Sequence, residues 1–259
     1  MAGTCLVGHT GFVGGNLAAQ FRFDDCYNSR NIQDIRGKSY DLVVCAGVSA
    51  VKWKANRFPA EDRAGVDNLL NELRLVSAQR FILISTVDVY PAVAGVDEAS
   101  DPHSPPNHAY GSNRLLVEDT VQQLFSKTHI VRLPALFGPG LKKNIVYDLL
   151  HDNSVDAIHP QGQFQYYDVR RLWRDLQVVT RDNLKLVNFA TQPIETSEMV
   201  RRYFNGKCLK SQDAPPPVYD VRTLFAHHFG ASNSYLYSAE QVLADLGSWI
   251  REGRNRGAA

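Results

Sequence analysis

Short apolar runs alternate along the chain with stretches in which apolar residues recur every three or four positions. TCLVG (4–8) predicts a first strand, and GFVGGNLAAQF after it a helix. A short strand near CYN (26–28) and a longer one at DLVVCAG (41–47) follow. Between 61 and 77 the apolar residues Val66, Leu69, Leu70, Leu73 and Val76 keep helical spacing. RFILIST (80–86) predicts a buried strand, Ala109 to about Phe125 a helix, and HIVRLPALFG (129–138) another strand. LKLVNFA (184–190) reads as a late strand of the same sheet. Repeated strand–helix alternation predicts an α/β fold with a doubly wound parallel sheet, helices covering both faces. The expected core is 1–140, completed by the strand near 184–190. Residues 141–183 and 191–259, with PPP at 215–217, are expected to form a smaller lobe. Ser238–Gln241 has the capping-box pattern, opening a last helix with Val242, Leu243, Leu246, Trp249 and Ile250 on its apolar side.

Composition narrows the class without changing this picture. A chain of 259 residues suits one large α/β domain, or a domain with a small appendage. Apolar residues at 44% and charged residues at 21% describe a globular chain, and a net charge of +1 leaves no basic stripe for nucleic acid. No apolar run approaches a membrane span, and MAGTCLVG enters a strand directly, without a signal-peptide pattern. Cys5 and Cys45 fall in predicted strands, Cys208 is remote, and no C-x-x-C or His cluster occurs. Reduced thiols, no metal and a cytoplasmic location are expected.

The chemistry begins at Gly8-His-Thr10-Gly11-Phe12-Val13-Gly14, between the first strand and the first helix. Glycines there let the backbone turn tightly and approach a pyrophosphate, and the helix start offers N–H groups to phosphate oxygens. A tight strand–helix turn also needs glycine, but the position inside a βα unit favours a Rossmann-type dinucleotide site. An acidic residue would be expected at the next strand end to hold the adenosine ribose. That place reads Tyr27-Asn28-Ser29-Arg30, with Asp24 and Asp25 earlier. Ser29 and Arg30 suit a 2′-phosphate, so NADP(H) is expected over NAD(H); the bland alternative is a solvated loop arginine.

With these pieces the chain resembles the extended short-chain dehydrogenase/reductase family, the NAD-dependent epimerase/dehydratase type. The resemblance runs through GHTGFVG, Ala46-Gly47, ISTVDVY (84–90), YGSNR (110–114), RLPALFGPG (132–140) and FQYYDV followed by VNFATQP. It implies a catalytic Thr86, with Ser85 as substitute, to orient the reacting oxygen, and Tyr110 as acid/base. It places Arg114 where the family usually has lysine, tuning Tyr110 and binding the nicotinamide ribose. Positions four apart share a helix face, and a nearby cation lowers a phenol's pKa. Asp88 stands where dehydratases carry a glutamate base; a surface carboxylate or loop cap is the plainer reading. Ala46, Gly47 and Pro134 fall at cofactor-lining positions. Lys142, Lys143 and Asn144 are candidate substrate-anion residues, or an exposed basic turn. Ala135 and Phe164 replace the Asn and Arg that serve a substrate diphosphate in nucleotide-sugar enzymes. Lys52 and Lys54, around Trp53 in the loop after the third strand, could border the cleft, but read best as solvated lysines beside a packed Trp53.

Two functions follow. The first is an NADP(H)-dependent oxidoreductase acting on a keto group of a sugar or activated sugar, with epimerisation or dehydration as variants. The second is a non-catalytic NADP(H) sensor or regulatory subunit, which the altered Tyr-x-x-x-Arg favours and the retained Thr86 and Tyr110 oppose. A homodimer through the helices at 61–77 and 109–125 is a further expectation.

Overall fold

The structure, a computed structural model, describes residues 3–257. In chain order the strands are β1 Thr4–Val7, β2 Asp25–Tyr27, β3 Ser39–Cys45, β4 Ser77–Thr86, β5 Ala94–Val96, β6 Thr128–Leu133, β7 Ala135–Phe137, β8 Gln163–Phe164, β9 Tyr166–Asp168, β10 Leu186–Asn188, β11 Ile194–Glu195 and β12 Asp220–Val221. The helices are α1 Phe12–Gln20, α2 Lys52–Arg57, α3 Pro59–Leu73, α4 Ala109–Leu124, α5 Ile145–His151, α6 Leu172–Arg181, α7 Thr196–Tyr203 and α8 Ala239–Gly257. The chain divides into two compact units. The first holds residues up to 92, 98–133 and 172–188; the second holds 93–97, 134–171 and residues from 189 onward.

The first unit is built on a six-stranded sheet in the order β10-β6-β4-β3-β1-β2, every pairing parallel. Strand alternation turns Cys5, Val7, Val43, Cys45, Phe81, Leu83 and Ile130 into one core, where they meet Val66, Leu70 and Leu73 of α3 and Val117 and Val121 of α4. Burying each such Leu, Val or Phe contributes about 1.5–3 kcal/mol. The apolar stripes of α3 and α4 are therefore used inside the chain's own core. Between the end of α1 and α6, Phe21 stacks on Trp173 at 4.1 Å, and the Trp173 backbone N–H donates to Gln20 Oε1 at 3.0 Å.

Several expected boundaries moved. β4 starts at Ser77, because Ser39 and Tyr40 of β3 supply partners for Ser77 and Ala78. The expected strand 129–138 breaks at Pro134, which has no N–H to give a ladder. β6 stays in the large sheet, while β7 pairs with β9 in the second unit. Residues 134–140 thus leave the expected core, and α6, expected in the smaller lobe, belongs to the first unit. In the second unit β8 pairs with β11, β5 with β12, and Gln165 Nε2 donates to the Val221 carbonyl at 2.7 Å. The capping box forms: the Ser238 N–H donates to Gln241 Oε1 at 2.9 Å, and the Gln241 N–H to Ser238 Oγ at 3.2 Å. Among the described residues no helix is long and apolar enough to cross a membrane, and no group of three or more His, Cys, Asp or Glu could hold a metal ion.

Candidate active site

β1 and β3 are neighbours, with Val7 opposite Cys45. The chain leaves β1 for β2 on one side, and leaves β3 for β4 on the other. This reversal opens a crevice at the carboxyl ends of the strands, where doubly wound sheets bind ligands. Gly8 sits there at φ +90°, and a Cβ on it would overlap the Ala46 carbonyl. A Cβ on Gly14 would overlap the Gly8 carbonyl, whereas one on Gly11 would stand 3.3 Å from it. A Cβ on Gly47 would stand 2.9 Å from Val7 Cγ1. Thr10 and Gly11 are exposed at the loop tip, and α1 starts behind them with no side-chain cap and no acidic residue in its first turn. Phe12, Val13 and Gly14 present the first N–H groups of that helix. This cradle, which added carbon would fill, fits a pyrophosphate.

The turn after β2 is held by Asn28. Its Oδ1 accepts from the Arg30 N–H at 2.9 Å, and its own N–H donates to Asn31 Oδ1 at 2.7 Å. Asn28 therefore shapes the turn, and Ser29 and Arg30 remain exposed. Ser29 also borders a cavity of about 320 Å³ whose walls include Gly47, Ser49, Lys54, Phe58 and Asp62.

Thr86 ends β4. Its Oγ1 accepts the Asp88 N–H at 3.1 Å, as a turn cap would, and its side chain lies close enough to the Tyr110 phenol to pull the phenol pKa down. Tyr110 opens α4. That helix comes close to the Asp88 turn because Gly111 has no Cβ; one would overlap the Asp88 carbonyl. Asn107 clamps the approach, its Nδ2 donating to the carbonyls of Asp88 and Val89 at 2.9 Å each, and His108 Nδ1 accepts the Gly111 N–H at 3.0 Å. Thr86 and Tyr110 thus meet as expected from the sequence.

Three expectations are corrected. Arg114 does not face the crevice: only 3% exposed, it pairs through both terminal nitrogens with Asp62, donates to the Ser49 carbonyl, and lies 4.0 Å over the Tyr110 ring. Its fork already holds a carboxylate and a carbonyl, so no terminal donor is left for a ribose. The Tyr110 pKa is also not lowered. Burial pushes it above the usual phenol value and outweighs Arg114, which pulls it down. Ser85 is no substitute for Thr86, because its hydroxyl donates to Glu118, a buried carboxylate paired with Arg132.

Asp88 is neither a simple surface carboxylate nor only a cap: Lys52 Nζ stands 2.7 Å from its Oδ1. Lys52 and Lys54 lie on α2 rather than in a loop; Lys54 is exposed as expected, but Trp53 is 65% exposed rather than packed. In the second unit, Asn144 is occupied: its Oδ1 caps α5 at the Val146 and Tyr147 N–H groups, and its Nδ2 donates to the Leu136 carbonyl at 2.8 Å. Lys142 and Lys143 are exposed there, Pro134 is buried, and Phe164 stacks on Tyr219 at 5.6 Å. Residues that the sequence did not single out are Asp62, Asn113 and Asn56. Asn113 Nδ2 donates to Asp62 at 2.8 Å, and Asn56 Oδ1 accepts the Tyr110 N–H at 2.9 Å.

A crevice at the switch point, a glycine cradle and a Thr–Tyr pair define an NAD(P)-dependent enzyme of the short-chain dehydrogenase type. The sequence profile of the NAD dependent epimerase/dehydratase family matches residues 24–192, well over half of the chain, and the protein belongs to that family. The glycine loop precedes the matched span. No curated protein matches the sequence. Among solved structures, the dTDP-4-dehydrorhamnose reductase of Bacillus anthracis in complex with NADP is similar at TM-score 0.74 and 17% identity, covering 97% of this chain and 99% of that one. RMD from Pseudomonas aeruginosa complexed with NADPH gives TM-score 0.72 and 18% identity, covering 96% and 99%. The UDP-glucose 4-epimerase of Thermotoga maritima, with UDP-glucose, gives 0.70 and 14%, covering 96% and 99%. At these identities the likeness is one of fold.

Proposed function

We propose that the protein is an NADP(H)-dependent reductase of a keto group on a sugar or activated sugar. The observation that carries this reading is that the start of α4, with Tyr110, packs on the turn that Thr86 caps at the end of β4, in the same unit as the glycine cradle. The cofactor, when bound, supplies the hydride at its nicotinamide C4. The pyrophosphate would lie against Gly8, Thr10, Gly11, Phe12, Val13 and Gly14, with Ala46 and Gly47 bordering the dinucleotide. Exposed Arg30, with Ser29, would hold the 2′-phosphate, and the cavity beside Ser29 would take the adenosine. Thr86 would donate to the carbonyl oxygen, and the Tyr110 hydroxyl would deliver the proton as that oxygen becomes an alkoxide. The raised phenol pKa suits this direction, since a donor must be protonated at neutral pH. Similar folds reported with NADP, NADPH and UDP-glucose support the cofactor and the substrate class. Lys142 and Lys143 are the remaining candidates for the substrate's anionic group, and a homodimer is the proposed assembly.

The sensor reading is favoured by one observation, the commitment of Arg114 to Asp62. A single experiment separates the two. Purified protein is incubated with NADPH and a panel of keto-sugars and nucleotide-linked keto-sugars, with loss of nicotinamide absorbance followed and products identified by mass and NMR. Turnover of at least one compound is expected. Tight NADPH binding with no product from any compound would favour the sensor.

A further inference from the structure

Arg114 keeps its charge near Tyr110 but has no accessible donor, which leaves the site without an accessible cation on α4. A different lysine stands beside the same cluster. Lys52 and Asn56 are four residues apart on α2 and share a face. Asn56 accepts the Tyr110 N–H at 2.9 Å, fixing α2 to the start of α4. Lys52 Nζ reaches Asp88 Oδ1 at 2.7 Å, and the Asp88 N–H is bonded to Thr86 Oγ1 at 3.1 Å. One face of α2 therefore touches both segments that carry the reacting pair. The Lys52 side chain is 37% exposed against 3% for Arg114, so its ammonium borders open space while the guanidinium does not.

We propose that Lys52, anchored by Asp88, is the electrostatic positioning residue of the Tyr110 site, supplying the accessible cation that Arg114, held in its clamp with Asp62, does not. This rests on the reading of Tyr110 as proton donor. The charged and titratable groups facing Tyr110 are Arg114 on its own helix, with Asp62 of α3 against it, His108 at the helix start, Asp88 from the turn after β4, and Lys52 from α2. Arg114 and Lys52 favour the tyrosinate, and Asp88 opposes it. Removing the lysine takes away one of the two cations that offset the Asp88 charge at the phenol.

The test needs no substrate. Difluorotyrosine, whose phenol titrates well below that of tyrosine, is placed at position 110 of the full chain and titrated by fluorine NMR. Lys52→Met should raise the midpoint by about one pH unit, Lys52→Arg should restore it, and Asp88→Asn should lower it. Midpoints unmoved in both Lys52→Met and Asp88→Asn would overturn the proposal. Because Lys52 is partly exposed the variant should fold, which circular dichroism checks, and Asp88→Asn decides independently if it does not. Full turnover in Tyr110→Phe would instead overturn the proton-donor reading, with the fluorine midpoints still recording the Lys52 charge separately.

Discussion

Replacing Arg114 by methionine tests what this unusual residue does. The guanidinium is 3% exposed and its partner Asp62 8% exposed, so the pair is removed from water. Arg114→Met keeps apolar bulk but strips Asp62 of all donors except Asn113 and leaves the Ser49 carbonyl without the guanidinium. Breaking a buried pair from one side costs about 3–5 kcal/mol, because the remaining charge is uncompensated. For a chain of this size that is a fall in Tm of roughly 6–20 °C. Arg114→Lys restores the charge but cannot span both Asp62 and Ser49, and should lose about half as much. Arg114→Met combined with Asp62→Leu should recover most of the loss, since neither charge is then stranded. The effect should depend on pH. Burial pushes the Asp62 carboxyl up, but hydrogen bonds from Arg114 and Asn113 bring it below its ordinary value. Its contribution is therefore present above the unfolded value of ~3.9, and disappears as pH falls through the lower folded value. Urea unfolding of the four proteins at neutral pH, and of wild type and Arg114→Met in acid, provides the numbers. A loss under about 1 kcal/mol in Arg114→Met at neutral pH, the scale of an exposed pair, would refute the clamp.

Further outcomes are expected. Titration calorimetry should show NADP(H) binding more tightly than NAD(H), with the preference lost in Arg30→Ala; tighter NAD(H) binding, unchanged by that substitution, would contradict the assignment of the 2′-phosphate site. Gly14→Ala drives a methyl into the Gly8 carbonyl and should cost about 1–3 kcal/mol along with cofactor binding, whereas Gly11→Ala, at 3.3 Å from the same carbonyl, should be milder. Light scattering at micromolar concentration should give twice the 29.0 kDa chain mass for the proposed dimer; a monomer mass would dismiss it.

How far the sequence could be read depends on how local each signal is. Gly14 was legible because the Gly8 carbonyl that excludes a Cβ there lies within a few residues, and Gly8 because its positive φ is a local demand, although the Ala46 carbonyl packed on it is remote in sequence. The strands around Val43, Ile82 and Val131 were legible because burial on both faces leaves continuous apolar runs. Thr86 and Tyr110 could be paired through the family motif. The role of Arg114 could not be read, since helical spacing shows that it shares a face with Tyr110 but not that Asp62 waits there from α3. Ser85 was misjudged for a related reason: strand alternation points it away from Thr86, toward Glu118. The break at Pro134 was within reach of the sequence, because a proline inside a central strand argues against one continuous strand. Helix α2 has only six residues and an exposed Trp53, so it carries no apolar stripe to announce it. Asn144 looks like a ligand by composition and proves to be a helix cap, a use that Asn favours at such positions.

The central claim is that Tyr110 delivers the proton in an NADPH-dependent reduction. It is tested most directly by kcat/KM and NADPH affinity measured side by side for wild type and Tyr110→Phe, on whichever keto-sugar the panel shows to be turned over. The phenylalanine variant keeps the ring under Arg114 and loses only the hydroxyl. In that variant kcat/KM should drop by about 10²–10⁴ with NADPH affinity nearly unchanged. A Tyr110→Phe enzyme that turns over substrate as fast as wild type would contradict the claim.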